Sequence, residues 1–169
     1  RQLLYGLMLD DGLLLPDTLV PDLPTNYGGF SPENFDHEYR GAVPAHQALS
    51  QSLNIPAVRM LRQYGLGRFH SQLQRMGMGT LFRSAEDYGL TLVLGGAEGT
   101  LNELTGIYAR LFASAMQAQA YPVATLQPPL AGRETVPPVL SPGAAWLTPD
   151  ALRLSLIHIS EPTRPSQIS

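Results

Sequence analysis

Ala48-Leu49-Ser50-Gln51-Ser52-Leu53-Asn54-Ile55-Pro56-Ala57-Val58 is the stretch on which the reading of this chain turns. Pro44 suits the first residue of a short helix through Gln51, and Pro56 the opening of the next, because proline there gives up an amide that has no helical partner anyway. Ser52 to Asn54 is therefore pinched between two helices. If the backbone is locally extended, Ser52 and Asn54 point to the same side and face one pocket. A hydroxyl donates and accepts, so it can pass a proton, while a carboxamide can hold a carbonyl and an amine at once. Acyl transfer needs both. The plainer reading of the same residues is that Ser52 belongs to a helix C-terminal turn and Asn54 caps the helix near Pro56, as these residue types do in any protein.

Outward from this stretch the punctuation is clear. Upstream, Leu3, Leu4, Leu7 and Met8 recur at helical spacing until Asp10-Asp11-Gly12, where glycine supplies the exit. Residues 16–43 carry Pro16, Pro21, Pro24, Gly28-Gly29 and Pro32 among Asp and Asn, which predicts one long ordered loop. A loop of that length is more often functional than idle, although a linker reads equally well. Downstream, the helix from Pro56 places Ala57, Met60, Leu61 and Tyr64 on one side and ends at Gly65. A third helix, marked by Leu66, Phe69, Leu73 and Met76, closes at Gly77. Thr100 and Glu103 form a capping box ahead of Leu101, Leu104, Ile107, Tyr108, Leu111, Phe112 and Ala115, the strongest amphipathic pattern in the chain, expected to pack on a core. The region from Tyr121 to Pro142 is again proline-rich, and a short helix is predicted with Pro142 near its first turn. No repeat at a fixed period is present.

Composition narrows the function classes. A chain of 169 residues with 44% hydrophobic content is of single-domain size. A formal charge of −3 provides no phosphate-neutralising surface, so nucleic acid is not an expected partner. Cysteine is absent, which removes disulfides, thiol nucleophiles and thiolate metal sites. All 11 basic residues are arginine, so no lysine is present to act as a base. No stretch approaches the roughly 20 apolar residues that span a bilayer. His37 lies beside Asp36 and Glu38, but the histidines are scattered, and a solvated turn explains it better than a metal site. Gly95-Gly96 reads as a turn before the Thr100 cap, and Asp10-Asp11 as a helix end. No cofactor and no metal are expected.

Gly28-Gly29-Phe30-Ser31-Pro32-Glu33-Asn34-Phe35-Asp36, Tyr39-Arg40-Gly41-Ala42-Val43, Ala48-Leu49 and Ser52-Leu53-Asn54-Ile55-Pro56-Ala57-Val58 come in an order that resembles the transpeptidase domain of the bifunctional class A penicillin-binding proteins. Tyr88-Gly89-Leu90, Leu94-Gly95-Gly96-Ala97-Glu98 and Leu101-Asn102-Glu103-Leu104 continue the match, which runs from about Leu3 to Leu152. No single motif is decisive; their order and spacing together are specific. The resemblance implies a mainly α fragment of the α/β penicillin-binding transpeptidase fold, also called β-lactamase-like: the helical subdomain, with most of the antiparallel sheet missing. Residues 1–153 would be a partial transpeptidase domain, with the loop at 16–43 and a helical core at 44–120.

The function implied is D,D-transpeptidation, in which a serine attacks the penultimate D-alanine carbonyl of a peptidoglycan stem peptide and a neighbouring amine resolves the acyl-enzyme. Stem peptides are the expected partners, and β-lactams imitate them. Three motifs share the work in this family: Ser-x-x-Lys, Ser-x-Asn and Lys-Thr-Gly. By that match the catalytic candidates are Ser52, shuttling a proton toward the leaving amine, and Asn54, orienting the base lysine and the substrate backbone. The family's Lys-Pro falls on Arg1-Gln2, so the nucleophile would precede the first residue. Arginine cannot replace the lysine, because its guanidinium stays protonated. The pattern fades after Leu152, short of a Lys-Thr-Gly strand. Residues 154–169 resemble nothing in the family and read as translated adapter sequence or a disordered tail.

The expectation is therefore a piece of a transpeptidase, inactive alone. The full protein would act on the periplasmic side of the cytoplasmic membrane, with any anchor, and a glycosyltransferase domain, outside this segment. The alternative is a non-catalytic helical module of the same descent that binds a partner or the stem peptide. A class A β-lactamase piece matches less well, because the long loop before Ser52 follows the transpeptidases.

Overall fold

The computed structural model describes residues 1–118 and 138–160. Helix α1, Gln2–Asp10, comes first, and its residues Leu3 to Met8 are all buried, as a helix apolar all round must be. It stops where the sequence predicts, with Gly12 at a φ of 68°.

The expected loop at 16–43 is not irregular throughout. Strand β1, Leu19–Asp22, and strand β2, Gly41–Pro44, pair antiparallel, with Leu19 opposite Pro44 and Asp22 opposite Gly41. Pro21 had pointed to a loop and Pro44 to a helix start, but a two-stranded ribbon is all edge, and each proline can turn its missing donor outward. The segment between the strands folds back through a further bridge between Tyr27 and Phe30.

Helix α2, Ala45–Ser50, begins one residue later than expected, since Pro44 ends the strand and occupies the cap position. Helix α3, Asn54–Tyr64, begins two residues before Pro56, which lies within its first turn. Gly65, at a φ of 98°, separates it from α4, Leu66–Arg75, and Gly77 follows with a φ of 105°. Phe69, Leu73 and Met76 are buried as their spacing predicts. A short helix α5, Ala85–Tyr88, leads into a 3-10 helix, Gly89–Leu94, that packs on α3.

Helix α6, Leu101–Ala118, carries the predicted capping box: Glu103 N donates to Thr100 Oγ1 at 3.2 Å, and Thr100 N donates to Glu103 Oε2 at 2.9 Å. Its packing corrects the sequence reading. Ile107, Leu111 and Ala115 are buried, whereas Leu101 and Phe112, assigned to the same face, are 83% and 52% exposed. Helix α7, Pro142–Ser160, is longer than the short helix expected and encloses Pro149; it also runs past residue 153, where the domain was expected to end. It lies against α6, α1 and α2. The predicted proline-rich stretch from Tyr121 falls almost wholly outside the described residues, as do residues 161–169.

One continuous core joins these pieces: Leu4 and Tyr5 of α1, Leu61 of α3, Ile107 and Leu111 of α6, and Leu140 before α7. The architecture is a helical assembly with a single two-stranded ribbon among the described residues, in keeping with a mainly α segment that holds little of a sheet. No helix of the described residues is long and apolar enough to cross a membrane.

Candidate active site

The turn joining α2 to α3 is a helix stop of a recognisable kind. Ser52 N donates to Leu49 O and Leu53 N to Ala48 O, both at 3.0 Å, which closes α2 with a left-handed residue after its C-cap. Leu53 packs back on Ala48 and Val43, supplying the apolar contact that accompanies such stops. The left-handed residue is Ser52, at a φ of 55°, where glycine is the usual occupant. An L-residue pays about 1–2 kcal/mol for that conformation. Ser52 and Asn54 are therefore not consecutive teeth of an extended strand. Ser52 does sit in the helix-terminal turn, but Asn54 is the first residue of α3 rather than its cap, and Leu53 stands at the cap position.

The cap comes from elsewhere. Asn34, in the loop between the strands, is 2% exposed, and its Oδ1 accepts from Asn54 N at 3.0 Å and Ile55 N at 3.3 Å. Its Nδ2 donates to Asp22 Oδ1 at 2.7 Å and to Glu38 O at 2.9 Å. Asp22 is fully buried on β1, and its other oxygen accepts from Arg40 N at 3.2 Å. Sequence reasoning passed over Asn34 and Asp22, because nothing about a polar residue in a proline-rich loop announces burial.

Asn54 is held by its side chain as well: Nδ2 donates to Glu33 O at 2.7 Å, and Oδ1 accepts from Arg1 Nη2. Arg1 therefore brings a guanidinium against the Asn54 carboxamide. Burial lowers the pKa of that guanidinium below its usual value. Ser52 lines a cavity of about 230 Å³ with Arg1, Gln2, Leu49, Val93, Leu94 and Gly95. Asn54 reaches this space through Arg1. The Ser52 hydroxyl has no hydrogen-bond partner among the described residues, which leaves it available to a ligand. The opening thus holds the Ser52 hydroxyl and the Arg1 guanidinium, while Asn54, expected to share the pocket, does not line it and meets it only through Arg1.

The other residues singled out in the sequence sit in local contacts. His37 pairs with exposed Glu33 at 3.1 Å, and no group of three or more metal-ligating side chains stands together among the described residues. Asp11 bridges to Arg68 at 2.9 Å, and Asp10 accepts from Ser141 N, tying the end of α1 to the start of α7. Gly95 is left-handed, and Gly96 packs so closely on Thr91 that an added Cβ would lie 2.5 Å from its Oγ1.

The chain belongs to the penicillin-binding proteins and carries part of their transpeptidase fold. Over 149 residues it is 37% identical to penicillin-binding protein 1C of Escherichia coli (strain K12), a match that takes in 87% of this chain and 18% of the relative's length. Among solved structures, the transpeptidase domain of Burkholderia pseudomallei penicillin-binding protein 3 superposes with a TM-score of 0.64 at 17% identity, over 96% of this chain and 52% of that one. PonA1 of Mycobacterium tuberculosis, solved in complex with penicillin V, superposes with a TM-score of 0.58 at 20% identity, over 68% of this chain and 34% of that one. No family model matches the chain.

Proposed function

We propose that this chain is the part of a peptidoglycan D,D-transpeptidase that supplies the Ser-x-Asn motif, with Ser52 and Asn54 as its catalytic residues. The observation that carries the proposal is the Arg1–Asn54 contact beside Ser52, since it sets the second motif against the position from which the family's base acts. In the reaction, the serine oxygen forms an ester to the stem-peptide carbonyl as the amide bond to the terminal D-alanine breaks. The departing amine needs a proton, and the unpartnered Ser52 hydroxyl is placed to pass one. Asn54 fixes the cation at the first motif and offers its carboxamide to the substrate backbone. Stem peptides are the proposed substrates and β-lactams their mimics, in line with the penicillin V complex of PonA1. The whole protein would work on the periplasmic side of the bacterial cytoplasmic membrane.

The chain as written is proposed to be inactive. No lysine is present, and a protonated guanidinium at position 1 offers no lone pair to a serine. Intact-mass measurement after incubation with penicillin V tests this directly: no mass increase is expected, and a stoichiometric adduct overturns it.

The second reading, a non-catalytic helical module of the same descent, draws on the continuous core, which joins α1, α3, α6 and the start of α7. It predicts a cooperative unfolding transition for the isolated chain. The transpeptidase-fragment reading draws on the exposed Leu101, Phe112 and Met116 and predicts a molten or self-associating species.

A further inference from the structure

We propose that Asn34, itself oriented by Asp22, is a positioning residue for the Ser52–Asn54 motif: it fixes where α3 begins and which way Asn54 turns its carboxamide. The inference rests on reading Ser52 and Asn54 as the transpeptidase motif, and it adds a role for two buried residues outside that motif.

Every hydrogen-bonding position of the Asn34 amide is in use. Its oxygen accepts from the first two amides of α3, and its two N–H groups go to Asp22 Oδ1 and Glu38 O. A carboxylate only accepts, so Asp22 dictates which end of the amide faces it. Turning the amide over would set its oxygen against Asp22 and its NH₂ against two backbone donors. Asp22 is in turn held by Arg40 N at 3.2 Å, with Arg40 Nη1 at 3.5 Å.

The consequence reaches Asn54 twice. Asn34 grips its backbone N–H, and the adjacent carbonyl, Glu33 O, grips its Nδ2 at 2.7 Å. With the nitrogen end occupied, only Oδ1 remains to turn toward Arg1. The oxygen is the amide's only acceptor, so Arg1 selects the same end; the Glu33 carbonyl holds the other end and fixes the direction in which that oxygen points. Leu53, at the cap position of α3, has no side-chain oxygen with which to replace the lost cap.

The test is made in a full-length penicillin-binding protein containing this segment with Arg1→Lys supplying the family's base, by measuring the acylation rate at saturating penicillin V, its apparent affinity, and Tm. Asn34→Ala is expected to slow acylation about ten- to a hundredfold at a temperature well below Tm, the scale on which a displaced reacting group loses rate. Ile107→Val, which trims a fully buried side chain on α6, is the stability control and should leave acylation unchanged. Asn34→Asp alone sets two carboxylates together and should do no better than Asn34→Ala. Combined with Asp22→Asn, it restores an acceptor for α3 and a donor between positions 22 and 34, though not the donor to Glu38 O, and should recover a large part of the rate that Asn34→Asp loses.

Acylation by Asn34→Ala as fast as by Ile107→Val overturns the proposal, as does an exchanged pair that recovers Tm but not rate. If Asn34→Ala does not fold, the exchanged pair alone decides by the same criterion. A separate outcome, Asn54→Ala acylating like the Arg1→Lys protein, overturns the reading of the motif itself, whatever Asn34 does.

Discussion

The α2–α3 junction and the outer face of α6 solve opposite problems. At the junction a serine is held in a left-handed conformation and two polar residues are buried, yet the groups of Asn34 and Asp22 find partners within the segment. On α6, Leu101, Phe112 and Met116 stand 83%, 52% and 71% exposed, although the opposite face of the same helix is fully packed. The difference separates two requirements. Directional polar contacts that set a site's geometry can be completed locally, by a hairpin and one helix end. Burial of apolar surface is non-directional and grows with the surface available to cover it, so it depends on whatever else packs nearby.

The sharpest way to break this comparison is to attack the core that both regions share. Leu61, fully buried on α3, is expected to cost about 2–5 kcal/mol when changed to alanine, read from urea unfolding. A loss below about 1 kcal/mol would mean that the core beneath the site is looser than described. Gly6→Ala comes next. A Cβ there would lie 2.4 Å from Leu140 Cδ1 and 2.8 Å from Thr148 Oγ1, so overpacking between α1 and α7 should cost about 1–3 kcal/mol.

Ser52→Gly should move the other way, raising stability by up to about 1 kcal/mol because glycine adopts the left-handed turn without strain. In a full-length protein carrying Arg1→Lys the same change should lower penicillin acylation. A gain in Tm without a loss of acylation would separate the strain from the chemistry and remove Ser52 from the mechanism.

Glu103 sharpens the comparison by pH. Its carboxylate is lowered to about 2 from 4.5, chiefly by the Thr100 backbone amide and then by the Thr80 hydroxyl. A depressed pKa means stability that is fully present above about 4.5 and lost as pH falls toward about 2. Acid unfolding followed by circular dichroism should therefore steepen in that window, and Glu103→Gln should flatten part of the slope. Asp36, bonded to Arg40, and Glu98, bonded to its own amide and to Arg83, are also lowered and keep the remainder. The smallest effect is expected at Phe112→Glu: stability within about 0.5 kcal/mol, since the residue is half exposed, but weaker self-association in sedimentation velocity. A large loss of stability would show that the outer face of α6 is not bare.

The helices were legible because their ends are written locally. Gly65, Gly77, the Thr100 cap and Asp10-Asp11-Gly12 each act within a turn of the residue that carries them. The ribbon was not, because the pairing of Leu19 with Pro44 is made across the intervening loop and neither strand shows an alternating pattern. The site was half legible. Ser52 and Asn54 stand out as a triplet; the plainer reading, Ser52 in a helix C-terminal turn, holds, and the extended alternative does not, because a serine occupies the left-handed position that glycine usually fills. The buried Asp22–Asn34 pair was invisible for the same reason as the ribbon: its meaning arises only when two distant strands close. On α6 the periodicity correctly located the helix but assigned Leu101 and Phe112 to the core, since a wide apolar stripe does not say how much of it finds a partner.

The cap on α3 also has a consequence in time. Isolated helices of this length are marginal, and their first turns depend on partners for the free amides. Here that partner lies 20 residues upstream. The first turn of α3 cannot settle until the chain between the strands has closed on it, so the Ser52–Asn54 turn should order late, together with the ribbon, rather than nucleate with the helix that bears it.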